Sequence, residues 1–193
     1  MGCQRRASGI RNILTMKWYL IPLLLGAIPI NLNSASAGDW KDMLIERLPL
    51  YGHRNWIVVV DAAYPAQTSQ GIEMILCEDS QIDVVKGVLE ALAGSKHVRP
   101  TIYLDRELDA LSEKNAPGIS EYRKQLAGVL GSLKKNPLLH EKIIAKLDEA
   151  GKTFKILMLK TSLILPYTSV FIQLDCGYWS DSAEKDLRKS MGK

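Results

Sequence analysis

Residues 51–65 read YGHRNWIVVVDAAYP. Inside this stretch Trp56, Ile57, Val58, Val59 and Val60 form an unbroken apolar run, largely β-branched, preceded by the Gly52-His53 pair and stopped by Asp61, with Pro65 shortly after. The run is too short for a core helix, and it lacks the polar alternation of a half-buried strand. It therefore reads as a strand buried on both faces, which calls for a sheet covered by helices.

The flanking segments agree. DWKDMLIERLPL, residues 39–50, places Met43, Leu44 and Leu48 at helical spacing and ends at Pro49. Asp79-Ser80 supplies a helix N-cap, and Ile82, Val85, Val88, Leu89 and Leu92 follow at helical spacing up to Gly94. VRPTIYLD, Val98–Asp105, reads as a strand, with Pro100 marking an edge or an irregular start. ISEYRKQLAGVLGSL and NPLLHEKIIAKLDEAG read as two helices, the second with Asn136 as N-cap, Pro137 at the first helical position and Gly151 as its stop. TFKILMLK and SVFIQLD are the last strands, and SDSAEKDLRKSM is a capped helical tail. Strands and helices alternate over short connections, so the expected fold is α/β: a layered sheet flanked by helices, in a single domain spanning residues 38–193.

Residues 1–37 are set apart. Arg5, Arg6, Arg11 and Lys17 precede the first acidic residue, Asp39, and the apolar run WYLIPLLLGAIPI, residues 18–30, ends in Ala35-Ser36-Ala37. A basic start, an apolar run and a small-residue ending are the parts of a secretory signal, with cleavage expected after Ala37. A retained anchor would need about 20 apolar residues, and this run is shorter and holds Pro22 and Pro29. Met16 is an equally good start, since Lys17 would still provide a basic end. Cys3 lies before the apolar run, so it is not the acylated cysteine of a lipoprotein. The expectation is an exported protein, periplasmic or extracellular, with no membrane attachment after cleavage.

Removing the leader leaves 21 basic residues against 21 acidic ones. A neutral body offers no general attraction for phosphate backbones or anionic lipid, which argues against a nucleic-acid partner. Cys77 and Cys176 are the cysteines that remain; an oxidising compartment would permit a disulfide, and two separate buried thiols fit equally well.

Several chemical motifs are incomplete. VVVDAAYP resembles the strand-end aspartate of certain phosphatases, but the second carboxylate is missing because position 63 is Ala. AGKT, from Ala150, resembles the end of a phosphate-binding loop, but Lys146 stands where a glycine is required. No GxGxxG occurs, and His53, His97 and His140 lack metal-ligand spacing, so neither a metal nor a nucleotide cofactor is expected.

Three polar positions remain at strand ends. His53 can exchange protons near neutrality, although a turn histidine without a chemical role also fits, and Asp61 is by itself an ordinary turn or capping residue. Tyr167 stands beside Pro166, just before the last strand. Eight residues separate His53 from Asp61, up to roughly 26 Å along an extended strand, so one straight strand cannot bring them together.

In register, GHRNWIVVVDAAYP resembles the opening signature of the ribose pyranase and fucose mutarotase family (RbsD/FucU). A GH pair there is followed, eight residues after the histidine, by an aspartate in a DA pair and then a proline; His53, Asp61, Ala62 and Pro65 match. NPLLHEKIIAKLDEAG is similar to the helix before the family's late strands, and PYTSVFIQ to its closing tyrosine-containing strand. The resemblance spans roughly Leu48 to Leu174. It implies an isomerase that interconverts ring forms or anomers of a monosaccharide such as ribose or fucose, without metal or cofactor, in a homo-oligomer with sites near subunit interfaces. It further implies His53 as the catalytic acid/base, and Asp61, Tyr167 and Ser169 as substrate-binding residues. Ser169 departs from the family's usual asparagine. The segment that carries a lysine in ribose-type members is shortened here, leaving Lys160 nearest. A non-catalytic exported monosaccharide-binding protein on the same fold is the alternative. Glu73, Asp105 and Arg54 are further candidates for contacts with sugar hydroxyls.

Overall fold

Five consecutive apolar residues in a strand need cover on both faces, and the chain supplies it. In the computed structural model, which describes residues 39–192, Trp56–Val60 forms β1 with every residue buried. Ile57 and Val59 enter one hydrophobic cluster while Trp56, Val58 and Val60 enter another, as the pleat of a strand requires. The leader and its cleavage position, residues 1–37, lie outside the described residues.

The elements follow as α1 (Trp40–Arg47, continued by a 3-10 turn over Leu48–Leu50), β1, β2 (Ile72–Leu76), α2 (Gln81–Ala93), β3 (Val98–Asp105), α3 (Glu107–Ala110), α4 (Ile119–Leu130), β4 (Lys135–Leu138), α5 (His140–Gly151), β5 (Ile156–Lys160), β6 (Val170–Cys176) and α6 (Asp181–Ser190). The six strands form one sheet in the order β2-β5-β1-β6-β3-β4. β1 and β2 pair parallel to β5, and β3 pairs parallel to β4, whereas β6 is antiparallel to both of its neighbours, β1 and β3. Five strands therefore point one way and β6 alone points back.

One face of the sheet is covered by α1, α2 and α4 through Trp40, Leu44, Val85, Val88, Ile119 and Leu126. The other is covered by α5 through Ile143 and Leu147, which pack with Val58, Met158 and Phe171. This is an α/β fold, a layered sheet flanked by helices in a single domain. Among the described residues, no helix is long and apolar enough to cross a membrane.

The structure corrects or settles four points of the sequence reading. β2 was not anticipated: Glu73 interrupts IEMIL, but at a sheet edge a charge is tolerated, and its carboxylate meets Arg47 of α1 at 2.6 Å. Val98–Asp105 lies inside the sheet, yet Pro100 pairs only with Leu174 of β6, because β4 begins its pairing at Ile102. Asn136 and Pro137 do not start a helix. They belong to edge strand β4, where the Asn136 side chain donates to the Ile102 carbonyl and the parallel ladder with β3 prevails over local capping propensity. Lastly, of the two readings left open for Cys77 and Cys176, the structure has the free thiols; they end strands that run in opposite directions, so they lie at opposite edges of the sheet as well as three strands, about 14 Å, apart laterally.

Phe171 is fully buried at the centre of the α5-side cluster. Phe171→Ala is expected to lower unfolding stability in urea by about 3–5 kcal/mol; a loss below about 1 kcal/mol would show that this face is not tightly packed.

Candidate active site at the strand ends

The direction of β6 sorts the polar strand ends into two groups. Val170, its first residue, lies between Val59 of β1 and Leu104 of β3. The residues just before it therefore emerge beside those just after Val59 and Leu104. Tyr167, Thr168 and Ser169 thus share one edge with Asp61 and Asp105, at the C-terminal ends of the parallel strands, where open α/β sheets place their ligand crevices.

At this edge Asp61 uses both carboxylate oxygens. Oδ1 accepts the backbone N–H of Ala63 at 2.9 Å, closing a turn, and Oδ2 accepts the Ser169 hydroxyl at 3.3 Å. Tyr167 adopts a left-handed backbone with φ of 57°, an unfavourable conformation for a bulky side chain, and remains 38% exposed. Its ring meets that of His140 edge-on, with centroids 5.5 Å apart.

A buried polar network holds the strained turn. The Thr168 carbonyl accepts from the Tyr122 hydroxyl at 2.6 Å and from the Gln81 side-chain amide, while the Gln81 side-chain oxygen accepts from the Thr161 hydroxyl at 2.9 Å. Gln81, Thr161 and Thr168 are all buried. Such satisfied networks fix one geometry because any rearrangement strands a buried polar group. Burial also pushes the Tyr122 phenol up, which keeps it a donor.

His140 and Asp105 were not assigned to one site by the sequence reading. Nδ1 of His140 lies 3.0 Å from Oδ1 of Asp105, whose side chain is completely buried. Oδ2 of Asp105 is the one buried side-chain oxygen or nitrogen among the described residues without a hydrogen-bond partner. Burial pushes this carboxyl up to about 6; the hydrogen bond and charge of His140 pull the other way, and Glu107 and Asp61 reinforce the rise. Glu107 caps α5 from a distance: both its oxygens accept the backbone N–H of His140 at 3.1 Å, replacing the local cap that Leu139 cannot provide. Lys160 donates to the Tyr64 carbonyl at 2.6 Å.

His53 stands at the opposite edge. Gln173 of β6 pairs with Trp56, so the end of β6 meets the start of β1. There Nδ1 of His53 lies 3.0 Å from Oδ1 of Asp175, whose other oxygen is bound by Arg99 at 2.8 Å. Burial alone would raise the Asp175 carboxyl, but hydrogen bonds from Arg99, the Cys176 N–H and His53 outweigh it and hold the group below its usual range. His53 opens on a cleft of about 400 Å³ lined also by Arg54, Trp56, Lys146, Phe154 and Gln173.

Within the chain the structure thus brings Asp61, Ser169, Tyr167, Asp105 and His140 to one edge, and leaves His53 beyond the other end of β1, a strand of about 17 Å. Of the weaker candidates, Glu73 is engaged by Arg47 and Arg54 lines the His53 cleft. The available signal for His140 was its position as the first residue of a strongly amphipathic helix, but its partner lies 35 residues away. A roomier groove of about 660 Å³ runs between α2 and α4, with an apolar floor and Lys86, Glu90 and Gln125 on an exposed rim.

The raised Asp105 carboxyl sets a pH dependence. Below its usual value of 3.8 the group is protonated both folded and unfolded, so it carries no charge penalty. As pH rises through about 6 the folded state must ionise it without solvent, and stability falls by up to about 3 kcal/mol. Asp105→Asn is expected to unfold at a higher temperature than the parent at about pH 8, with the gap closing toward about pH 4; an equal gap at both would contradict this electrostatic cause.

No family model matches the sequence, and no curated protein matches it. Among solved structures, the chain is similar to RbsD of Bacillus subtilis complexed with D-ribose, at 20% identity and TM-score 0.49, over 72% of this chain and 93% of that one. It is similar to a fucose mutarotase in complex with L-fucose from Streptococcus pneumoniae, at 20% identity and TM-score 0.45, over 68% and 89% of the two chains. It is also similar to FucU from Bifidobacterium longum, at 13% identity and TM-score 0.43, over 68% and 92%.

Proposed function

We propose that this protein is an exported sugar isomerase that interconverts ring forms or anomers of a free monosaccharide such as ribose or fucose, in sites shared between neighbouring copies of the chain. The observation that carries this reading is the division of the signature residues: Asp61, Tyr167 and Ser169 meet at one edge of the sheet, while His53 opens on a cleft at the other. A homo-oligomer in which the Asp61 edge of one copy faces the His53 cleft of the next brings them together. Leu76, Leu139 and Ile164 stand exposed at strand ends along the same edge as Asp61, Ile164 at 88%.

The chemistry follows from the hemiacetal. A base takes the proton of the anomeric hydroxyl, its oxygen closes a carbonyl with C1, and the bond from C1 to the ring oxygen breaks as that oxygen takes up a proton. Closure on the opposite face gives the other anomer, and closure through a different hydroxyl gives the other ring size. His53 supplies the acid/base. Asp61 accepts from sugar hydroxyls, Ser169 holds Asp61 in place, and the Tyr167 hydroxyl positions the ring.

One observation favours the alternative, an exported monosaccharide-binding protein without catalysis: Ser169, where the family usually has an asparagine, spends its hydroxyl on Asp61. Exchange NMR on ribose, fucose and galactose separates the two. The isomerase reading expects ring-form exchange above the buffer rate for at least one sugar, reduced on the order of 100-fold or more in His53→Ala. Exchange at the buffer rate with the sugar still bound supports the binding protein, and neither exchange nor binding leaves a structural role. Light scattering on the mature chain is expected to give an oligomer, and a monomer at micromolar concentration contradicts a shared site.

A further inference from the structure

Ring opening moves two protons, one off the anomeric hydroxyl and one onto the ring oxygen, so a single acid/base does not complete it. On the isomerase reading above, on which this inference rests, His53 fills one of the two roles. A second imidazole stands where Asp61, Tyr167 and Ser169 converge. His140 turns Nδ1 toward Oδ1 of Asp105 at 3.0 Å, and its side chain is 39% exposed against 0% for Asp105. With Nδ1 facing the buried carboxylate, Nε2 on the far side of the ring is the nitrogen left free in this half-exposed side chain.

Asp105 has no evident structural task at this place. The α5 cap is provided by Glu107, and among the described residues His140 is the ion-pair partner found for Asp105. Its second oxygen is buried and unpartnered, an arrangement that costs stability and that a neutral side chain would avoid. A carboxylate can only accept, so it selects the tautomer of His140 with the proton on Nδ1 and leaves a lone pair on Nε2. Facing the pair are Asp61 from the end of β1, Tyr64 from the following loop, Glu107 from α3 and Tyr167 from the turn before β6.

We propose that Asp105 is a positioning residue of the sugar site: it holds His140 in the Nδ1–H tautomer, so that Nε2 is the base that removes the anomeric proton. Nε2 takes that proton and the oxygen's electron pair closes the C1 carbonyl. The bond from C1 to the ring oxygen breaks with its pair on the ring oxygen, which takes its proton from the imidazolium of His53 in the neighbouring copy. Closure reverses both transfers, so each imidazole ends as it began and nothing is oxidised or reduced. The imidazolium formed on His140 is stabilised by the carboxylate behind it.

The test uses the full mature chain labelled with 15N at histidine. Long-range 15N–1H correlation is expected to show His140 of the parent as the Nδ1–H tautomer when neutral, and Asp105→Ala as a mixture of tautomers. Asp105→Asn, which keeps the shape and removes the charge, is expected to lower sugar exchange by about 10- to 100-fold, mainly in kcat rather than KM, with partial recovery in Asp105→Glu. A parent His140 in the Nε2–H form, or exchange at the parent rate in both Asp105→Asn and Asp105→Ala, overturns the proposal. If the parent exchanges no sugar, the isomerase reading fails by itself, and the tautomer measurement still decides whether Asp105 sets His140.

Discussion

The antiparallel pairing of β6 between β1 and β3 is the constraint from which the site follows. Were β6 parallel to its neighbours, Tyr167 and Ser169 would emerge beside His53, and Asp175 beside Asp61. Running the other way, it delivers a hydroxyl to Asp61 at one end and a carboxylate to His53 at the other. The same ladder fixes the separation of the two ends, because β1 is paired on both sides and has no slack to bend. The hydrophobic faces make this ladder rigid: the apolar clusters packed on either side of β1 leave its register no alternative that keeps both faces buried.

The Asp61 edge also collects the features that oppose stability. Tyr167 sits at positive φ, and Asp105 keeps one carboxylate oxygen buried without a partner. Each is held in place by something sequence-distant, the Gln81–Tyr122–Thr161 network in one case and the rigid start of α5 in the other. Unfavourable local geometry concentrated at one sheet edge, and supported from behind, marks that edge as the candidate site.

Much of the fold was legible because its signals are local. The apolar run of β1, the Ser80 cap and Gly94 stop of α2, and the Ser180 cap of α6 each lie within a few residues of the element they define. The misreadings share a different origin. β2 carries a glutamate whose partner, Arg47, is 26 residues away. Asn136-Pro137 has the form of a helix start, and only the pairing with β3 makes it a strand, while the true helix is capped by Glu107 from across a turn. The site divides in the same manner. His53, Asp61, Tyr167 and Ser169 were named from a motif in register, but the Asp105–His140 pair exists only through folding, since nothing local links two residues 35 positions apart.

Whether one site draws His53 from one copy and Asp61 from another is decided by mixing two inactive variants. His53→Ala and Asp61→Ala chains, each without exchange activity, are unfolded together and co-assembled, and ring-form exchange is followed by NMR. Random assembly places intact His53 and intact Asp61 together in about a quarter of the sites, and recovery of roughly that fraction of the parent activity is expected. Co-assembled oligomers no more active than the two variants assembled apart would contradict a shared site.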